Sequence, residues 1–244
     1  MEITPGLRRI GNDIIAAYLV LDDTGVTLVD AALSGFLPDL RRELAAAGRS
    51  LADLRGVILT HGDMDHVGIA ERLRSELGVP VYVGAADAAR ARGEESSHPA
   101  AGPRRLGPVL RFFGYALRKG GARTRWLREV RTVADGEVLA LPGAPRILAL
   151  PGHSPGSVAV HLPSVRAVAV GDALTTRHVL TGVTGPAPAP FTDDPALADA
   201  SLERLADLDV DLVLPGHGAP FHGTTEQLLT AYRVARRAQG TAGD

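Results

Sequence analysis

The sequence predicts an α+β fold in which two β-sheets lie back to back with helices on their outer faces. The main observation is that each half of the chain runs through strands, a helix and a further strand, so that each half can supply one sheet and its covering helices. The composition, 45% hydrophobic and 22% charged residues, is that of a globular protein. The length of 244 residues fits one large domain or two small ones. These patterns leave the strand order open.

The first half begins with a predicted hairpin and continues as alternating strands and helices. The turn sequence at residues 22–25 separates two apolar runs, and Gly48 and Gly78 follow helical patterns as stop signals. The predicted elements are strands Ile14–Leu21 and Val26–Val29, helix Leu37–Ala47, strand Val57–Leu59, helix Val67–Leu77, strand Val81–Val83 and helix Ala85–Arg92.

Residues 93–131 differ in character and are predicted to be a basic, aromatic helical insertion. Nine basic residues and one acid, Glu129, lie between Arg104 and Arg131, and the insertion holds four of the ten aromatic residues. One apolar stripe has helical spacing. It consists of Leu106, Val109, Leu110, Phe113 and Leu117. The insertion either closes over a site and binds an apolar group or packs on the sheets. Its composition also fits an anionic substrate, a membrane surface or a partner protein.

The second half returns to short strands. The predicted elements are strands Val138–Leu141, Arg146–Leu150, Val158–Leu162 and Ala167–Val170, a proline-rich loop over Gly185–Pro190, helix Pro195–Leu208, strand Leu212–Leu214 and helix Thr225–Arg237.

The segment Thr60–Gly68, THGDMDHVG, is the strongest functional signal in the sequence. It places four candidate metal ligands within six residues, between a predicted strand and a predicted helix. These are His61, Asp63, Asp65 and His66. Imidazole and carboxylate groups bind Zn²⁺, Fe²⁺ or Mn²⁺ where no thiolate is present, and the chain contains no cysteine. A polar loop with Asp65 as a helix cap would explain only one of the four residues.

Three weaker signals follow predicted strands in the second half. They are PGHSPG with His153, GD with Asp172, and PGHG with His217. Each one alone fits a surface turn as well as a site, but loops after strands are where functional residues collect. Asp30 also ends a predicted strand, and as an isolated residue it fits an ordinary turn equally well.

Taken in this order, HxxxDH, PGHSPG, GD and PGHG resemble the metallo-β-lactamase-fold hydrolases. The resemblance extends from Asp30 to His217 and implies a four-layer αββα sandwich formed as a single domain, residues 1–244. It also implies that His61, Asp63 and His153 bind a first metal ion. Asp65, His66 and His217 would bind a second ion, Asp172 would bridge the two, and Asp30 would lie as a buried acid beneath the metal loop.

Position 63 departs from the commonest pattern of that family. The family most often has HxHxDH, whereas this chain has HxDxDH with Asp63 in place of the second histidine. We expect two divalent ions, with zinc first and manganese or iron favoured by the harder carboxylate ligand. The same carboxylate either leaves the first site weak or makes both ions weaker Lewis acids.

The function implied is hydrolysis of an ester, lactone, thioester or amide bond of a small molecule by a metal-bound hydroxide, with Asp65 as the catalytic residue that orients it and handles a proton. Phe113, Trp126 and His178 are candidate pocket residues, and a surface loop is the other interpretation of His178. The alternatives are a metal-poor binding or regulatory protein and a di-iron redox protein on the same fold.

Charge and the N-terminal sequence restrict partners and location. A formal net charge of −2 argues against nucleic acid binding through the overall field. The first residues, MEITPGLRRIGNDII, do not fit a secretory signal, and no run of about 18 apolar residues would span a membrane. We therefore expect a cytoplasmic protein, and the sequence says nothing about its oligomeric state.

Overall fold

A computed structural model describes residues 1–97 and 102–240, and the side chains up to residue 237. Residues 98–101 of the predicted insertion lie outside this description. The strands are β1 (Glu2–Thr4), β2 (Leu7–Gly11), β3 (Ala16–Asp22), β4 (Gly25–Val29), β5 (Leu54–Ile58), β6 (Val81–Gly84), β7 (Arg131–Val133), β8 (Arg146–Ala149), β9 (Val158–Leu162), β10 (Ala167–Gly171), β11 (Thr175–Arg177), β12 (Thr184–Ala187), β13 (Leu212–Pro215) and β14 (Phe221–His222). The α-helices are α1 (Leu37–Ala46), α2 (Met64–Val67), α3 (Ala70–Leu77), α4 (Ala88–Ala91), α5 (Leu106–Arg118), α6 (Pro195–Ser201) and α7 (Thr225–Gly240).

Two sheets form the centre of the molecule. The first contains seven strands in the order β1 to β7, antiparallel up to β4 and parallel from β4 to β7. The second contains five strands in the order β14, β13, β10, β9, β8. Within it β8 and β10 both pair antiparallel with β9, and β13 pairs parallel with β10. Strands β8, β10 and β13 therefore run in the same direction.

Successive side chains of a strand point to opposite faces of its sheet, so the two sheets take part in three hydrophobic cores, one between them and one on each outer face. In β3, Tyr18 and Val20 face the second sheet, while Ala17 and Leu19 face helices. In the core between the sheets, Tyr18 and Val20 pack with Val160 and Leu214 of the second sheet. Because successive strand residues point to opposite faces, strands buried on both faces are apolar almost throughout.

The outer cores confirm the αββα sandwich. Leu40 of α1 and Leu73 of α3 pack against the outer face of the first sheet. Leu205 and Leu228, the latter in α7, pack against the outer face of the second. Within the described residues no helix is long and apolar enough to cross a lipid bilayer.

Several predicted elements differ from the observed ones. The predicted strand Val138–Leu141 is wrong: only Val138 forms a bridge, to Arg146, because the chain turns tightly at residues 142–144. The predicted helix Val67–Leu77 is divided at Gly68 into α2 and α3. The predicted loop Gly185–Pro190 begins inside β12, and α6 ends at Ser201 and continues as a 3₁₀ turn. Strands β1, β2, β7, β11 and β14 were not predicted.

The segment predicted as an insertion, residues 93–131, contains α5, but the orientation of that helix differs from the expectation. The face that packs on the fold carries Phe112, Tyr115 and Ala116, which are buried. Four members of the predicted stripe, Leu106, Leu110, Phe113 and Leu117, are instead exposed to solvent. The helix therefore packs through a second apolar face and leaves the first one uncovered.

Candidate metal centre

Loops that follow parallel strands converge at one edge of the two sheets. Asp30 and His61 follow β4 and β5 of the first sheet, while His153, Asp172 and His217 follow β8, β10 and β13 of the second. The carboxyl ends of parallel strands meet at the same edge of a sheet, which is where binding residues collect. The two edges are joined here by a hydrogen bond of 2.8 Å from Val158 N–H to the Thr60 carbonyl oxygen.

The segment Thr60–Gly68 folds as a tight loop leading into the single helical turn α2. Asp63 is extended, and its carbonyl oxygen accepts a hydrogen bond from His66 N–H at 2.9 Å. Gly68 allows α2 to lie directly against the loop after β4, since a β-carbon there would come within 2.3 Å of the Leu33 backbone. This close approach brings the side chains of Asp63, Asp65 and His66 to one side of the loop.

The first group of candidate ligands contains His61, Asp63 and His153. Asp63 Oδ2 lies 3.7 Å from His61 Nε2 and 3.4 Å from His153 Nε2. One ligand atom from each of the three residues lies within 4.8 Å of the other two, and all three side chains are buried or nearly so.

The second group contains Asp65, His66 and His217, and Asp172 lies between the groups. His217 Nε2 is 3.5 Å from Asp65 Oδ2 and 3.1 Å from Asp172 Oδ2. Asp172 also lies 3.6 Å from His66 Nε2 through Oδ1 and 3.9 Å from His153 Nε2 through Oδ2. Its carboxylate therefore faces histidines of both groups.

Each imidazole of the set is held by the protein at Nδ1. The Nδ1 atoms of His61 and His153 lie 3.0 and 3.2 Å from threonine hydroxyls, and Nδ1 of His66 lies 2.9 Å from Asp30 Oδ2. Nδ1 of His217 is hydrogen-bonded to the Ile14 carbonyl oxygen. A partner at Nδ1 fixes the ring orientation and directs the other nitrogen at a ligand.

Three of the four opposite nitrogens are buried without a hydrogen-bond partner. Among the described residues, this is true of Nε2 of His61, His66 and His153, and of Oδ1 of Asp172. Buried polar atoms without a partner are costly and rare in folded proteins. Several such atoms pointing at one another, all of them good donors to divalent ions, fit a metal centre.

Charges within the cluster set the protonation states of the first group. Burial, and then the positive charges of neighbouring histidines, hold the pKa of His61 well below its ordinary value, so this imidazole is neutral. Burial alone would raise the pKa of Asp63. The His153 and His61 imidazoles, whose Nε2 atoms lie close to its Oδ2, outweigh burial and lower the pKa of Asp63 well below its usual range.

In the second group, the pKa values of the histidines are raised instead of lowered. Burial disfavours the charged form of His66, but the carboxylates of Asp30 and Asp172 outweigh it and raise the pKa of His66 to about 10. In the same way burial is outweighed at His217, whose pKa rises to about 9 beside Asp172 and Asp65. In the metal-free protein both imidazoles therefore carry a proton at pH 7.

Two residues that the sequence did not single out support the ligand loops. The buried guanidinium of Arg90 lies 3.3 Å from Asp63 Oδ1 and also pairs with Asp193. The buried carboxylate of Asp87 accepts hydrogen bonds from Gly62 N–H at 2.8 Å, Gly156 N–H at 2.6 Å and the Ser154 hydroxyl at 2.6 Å. Asp87 thus joins the loop of His61 to the loop of His153. The feature of the sequence that could have drawn attention to Asp87 and Arg90 is their three-residue spacing within a predicted helix.

A cavity of about 590 Å³ opens above the cluster. Its floor contains Asp63, Asp65, His153, Asp172 and His217. Its walls contain Met64, Phe112, Phe113, Ala116, Trp126, Val179, Pro190 and Phe191, with Glu94 and Glu95 among its polar lining residues. Phe113 and Trp126, the two aromatic candidates for a pocket, both line this cavity. His178 is not among the described lining residues and lies in a turn, where its N–H donates to the Val183 carbonyl oxygen.

Comparisons with known proteins point to one family. A sequence model described as the metallo-beta-lactamase superfamily matches residues 10–217. A probable metallo-hydrolase of Bacillus subtilis, YflN, is 32% identical over 182 residues, covering 70% of this chain and 66% of YflN, just under two thirds of that relative's length. The Haemophilus influenzae hydroxyacylglutathione hydrolase GloC is 29% identical over 169 residues, covering 68% of this chain and 70% of GloC. The structure of the metallo-beta-lactamase family protein TTHA1429 from Thermus thermophilus superposes with a TM-score of 0.72 at 24% identity, covering 99% of this chain and 82% of that protein.

Proposed function

The chain belongs to the metallo-beta-lactamase superfamily and is in general terms a metal-dependent hydrolase, and from this premise we propose that it uses two divalent ions to cleave an ester, lactone, thioester or amide bond of a small molecule. The observation that carries the proposal is the convergence of buried, unpartnered imidazole nitrogens on the Asp172 carboxylate at the floor of an apolar cavity.

The geometry supports a division of the ligands into two sites. His61, Asp63 and His153 would hold one ion, and Asp65, His66 and His217 would hold the other, since each trio brings three ligand atoms within 4.8 Å of one another. Asp172, which faces histidines of both trios, would bridge the ions. Zinc is the first candidate for an all-nitrogen and oxygen site, and the carboxylate of Asp63 also suits manganese or iron.

Bound ions of this kind supply an activated water as nucleophile and polarise the oxygen of the bond under attack. The protein's own residues do the rest. The partners at Nδ1 keep the imidazoles aimed into the site, and the apolar wall excludes bulk water from it. Asp65, at the floor of the cavity, orients the attacking group and carries the proton that the leaving group needs.

The cavity favours a substrate with an apolar, uncharged acyl group. Phe112, Phe113 and Trp126 supply an aromatic wall, whereas the charged lining residues outside the proposed ligand set are two glutamates and one arginine. Among the described residues that line it, Arg90 supplies the only guanidinium, which is engaged by Asp63 and Asp193. The similarity to GloC favours a thioester substrate. The glutamates that line the cavity disfavour a strongly anionic thiol carrier, such as the glutathione in that relative's name.

Metal analysis joined to a substrate screen tests the proposal. Protein purified from zinc-, manganese- and iron-supplemented cultures is analysed by mass spectrometry, and the loaded forms are assayed against acyl lactones, thioesters, β-lactams and phosphodiesters. We expect two metal equivalents and hydrolysis of at least one carbonyl substrate with an apolar acyl group. His66→Ala should lose both metal and activity.

A matched control is His161→Ala, since His161 lies on β9 outside the cluster. This variant should keep both metal and activity. Absence of metal from every preparation would refute the proposal in favour of a metal-poor binding or regulatory protein. Two iron equivalents with electron transfer and no hydrolysis would favour a di-iron redox protein.

A further inference from the structure

Helix α5 presents an apolar face to solvent, which we call the exposed α5 face and define as Leu106, Leu110, Phe113 and Leu117. These side chains are 75, 63, 50 and 68% exposed, respectively. They occupy positions i, i+4, i+7 and i+11, so they form one continuous ridge along a helix of about 20 Å. Scattered exposed leucines are ordinary, whereas an aligned row of this length marks a contact surface.

This face is continuous with the cavity above the metal cluster. Phe113 belongs to both, since it lines the cavity and is half exposed. Trp126 also lines the cavity and is 38% exposed at its rim, where its ring packs on Gly93. Whatever covers the exposed α5 face therefore lies next to the cavity mouth.

Basic residues are concentrated in the segment that contains the exposed α5 face. The segment from Arg104 to Arg131 has nine basic residues and one acid, a formal charge of +8, and the rest of the chain therefore carries −10 to give the overall −2. Within residues 1–97 and 102–240, no carboxylate forms an ion pair with Arg111, Arg118, Arg123 or Arg125, all of which are exposed. Arg111 and Arg118 lie on α5 itself, beside the leucine row.

We propose that the exposed α5 face docks on the surface of an anionic lipid bilayer. A short helix with an apolar face, aromatic residues and arginines beside it lies in the plane of a membrane interface, where apolar side chains enter the acyl boundary and guanidinium groups contact headgroup phosphates. A second copy of this chain would bring two sets of unpaired arginines together, and like charges disfavour that pairing. The proposal does not depend on which bond the metal centre cleaves.

Flotation of the full chain with lipid vesicles tests this proposal. Vesicles of equal parts phosphatidylglycerol and phosphatidylcholine are compared with vesicles of phosphatidylcholine alone, at low and at high salt. We expect binding to the anionic vesicles, weakened by salt, and little binding to the neutral ones. Trp126 is the only tryptophan, so a blue shift of its fluorescence on binding reports on the cavity rim directly.

Variants separate the apolar and the charged contributions. Leu106→Gln, Leu110→Gln and Leu117→Gln combined should lower vesicle affinity by about 100-fold, because three side chains lose their apolar contact. Arg111→Gln with Arg118→Gln should lower it about 30-fold, from about 1 kcal/mol for each basic residue near an anionic surface. Val234→Gln is the matched control, since Val234 is 64% exposed on α7, and it should bind as the unaltered chain does.

Three results would overturn the proposal. The first is failure of the chain to float with anionic vesicles. The second is undiminished binding by both the leucine and the arginine variants. The third is a dimer in sedimentation that the leucine variant dissolves, which would assign the face to a second copy. All exchanged residues are exposed, and circular dichroism checks that the variants fold.

Discussion

Replacing Asp30 by asparagine should weaken the second metal site without disturbing the backbone. Asp30 follows β4 with a φ of 60°, a conformation that asparagine adopts more readily than most residues. Its Oδ1 accepts hydrogen bonds from Thr60 N–H at 2.8 Å and from the Thr60 hydroxyl at 3.0 Å, and its Oδ2 lies 2.9 Å from His66 Nδ1. The substitution therefore keeps shape and backbone geometry and changes only the hydrogen-bonding character of one group.

The size of the expected loss in metal affinity follows from the tautomer of His66. Thr60 N–H can only donate, so it retains the asparagine carbonyl, and the amide NH₂ then faces His66 Nδ1. That nitrogen must become an acceptor, which moves the imidazole proton to Nε2, the atom aimed at the metal site. Loss of such a partner behind a ligand costs 10- to 100-fold in metal affinity, or about 1.4 to 2.7 kcal/mol.

The assay is a titration of metal-free protein with Zn²⁺ in competition with a chromophoric chelator. Asp30→Asn should weaken one class of site by the amount above, while the class containing His61 and His153 serves as an internal reference. Asp22→Asn is the matched control, because Asp22 also accepts backbone N–H bonds but lies outside the cluster. Affinity within about twofold of the unaltered chain would refute the tautomer argument.

Four further predictions concern the same centre. His66 and His217 have raised pKa values and, as proposed ligands, would bind metal only when neutral. Metal affinity should therefore rise between pH 7 and 9, and metal binding at pH 7 should release protons measurable by calorimetry. The metal-free protein should lose thermal stability as the pH rises towards 10. Arg90→Met leaves buried Asp63 without its cation and should lower the unfolding free energy of the metal-free protein by about 3 kcal/mol in urea titrations, with partial recovery in excess metal. Asp63→His should shift the acidic limb of the pH–rate profile, and an unchanged limb would contradict an electrostatic role for this carboxylate. Gly216→Ala places a β-carbon 2.5 Å from a carboxylate oxygen and 2.6 Å from an imidazole carbon of the ligand set, so metal affinity should fall at least about tenfold while urea stability changes little.

The loops that the structure brings together in the cluster could be singled out from the sequence because their signals are local. His61, Asp63, Asp65 and His66 lie within six residues, and His153 lies in its own short turn after a strand. Continuous apolar runs likewise predicted β3, β4, β9 and β10 closely, because burial on both faces leaves few polar interruptions.

Other features depend on long-range packing and were not predictable from local pattern. Strand β2 carries Arg8 and Arg9, whose charges hide a buried strand until Glu43 and Asp13 are seen to pair with them. The helical period of α5 was evident, but the helix has two apolar arcs, and the period does not say which arc is buried. The structure buries the arc of Phe112 and exposes that of Leu110.

The carboxylate at position 63 has the same division of contacts as the histidines around it. In each imidazole of the cluster, Nδ1 contacts the rest of the protein and Nε2 faces the site. In Asp63, Oδ1 accepts hydrogen bonds from the Ser97 hydroxyl at 2.6 Å and from Arg90 at 3.3 Å. The other oxygen, Oδ2, faces His61 and His153. Arg90 also places a positive charge beside the extra negative one. A substitution that looks like the loss of a ligand is therefore accompanied by a guanidinium that orients the carboxylate and offsets its charge, and the two residues are best understood as one unit.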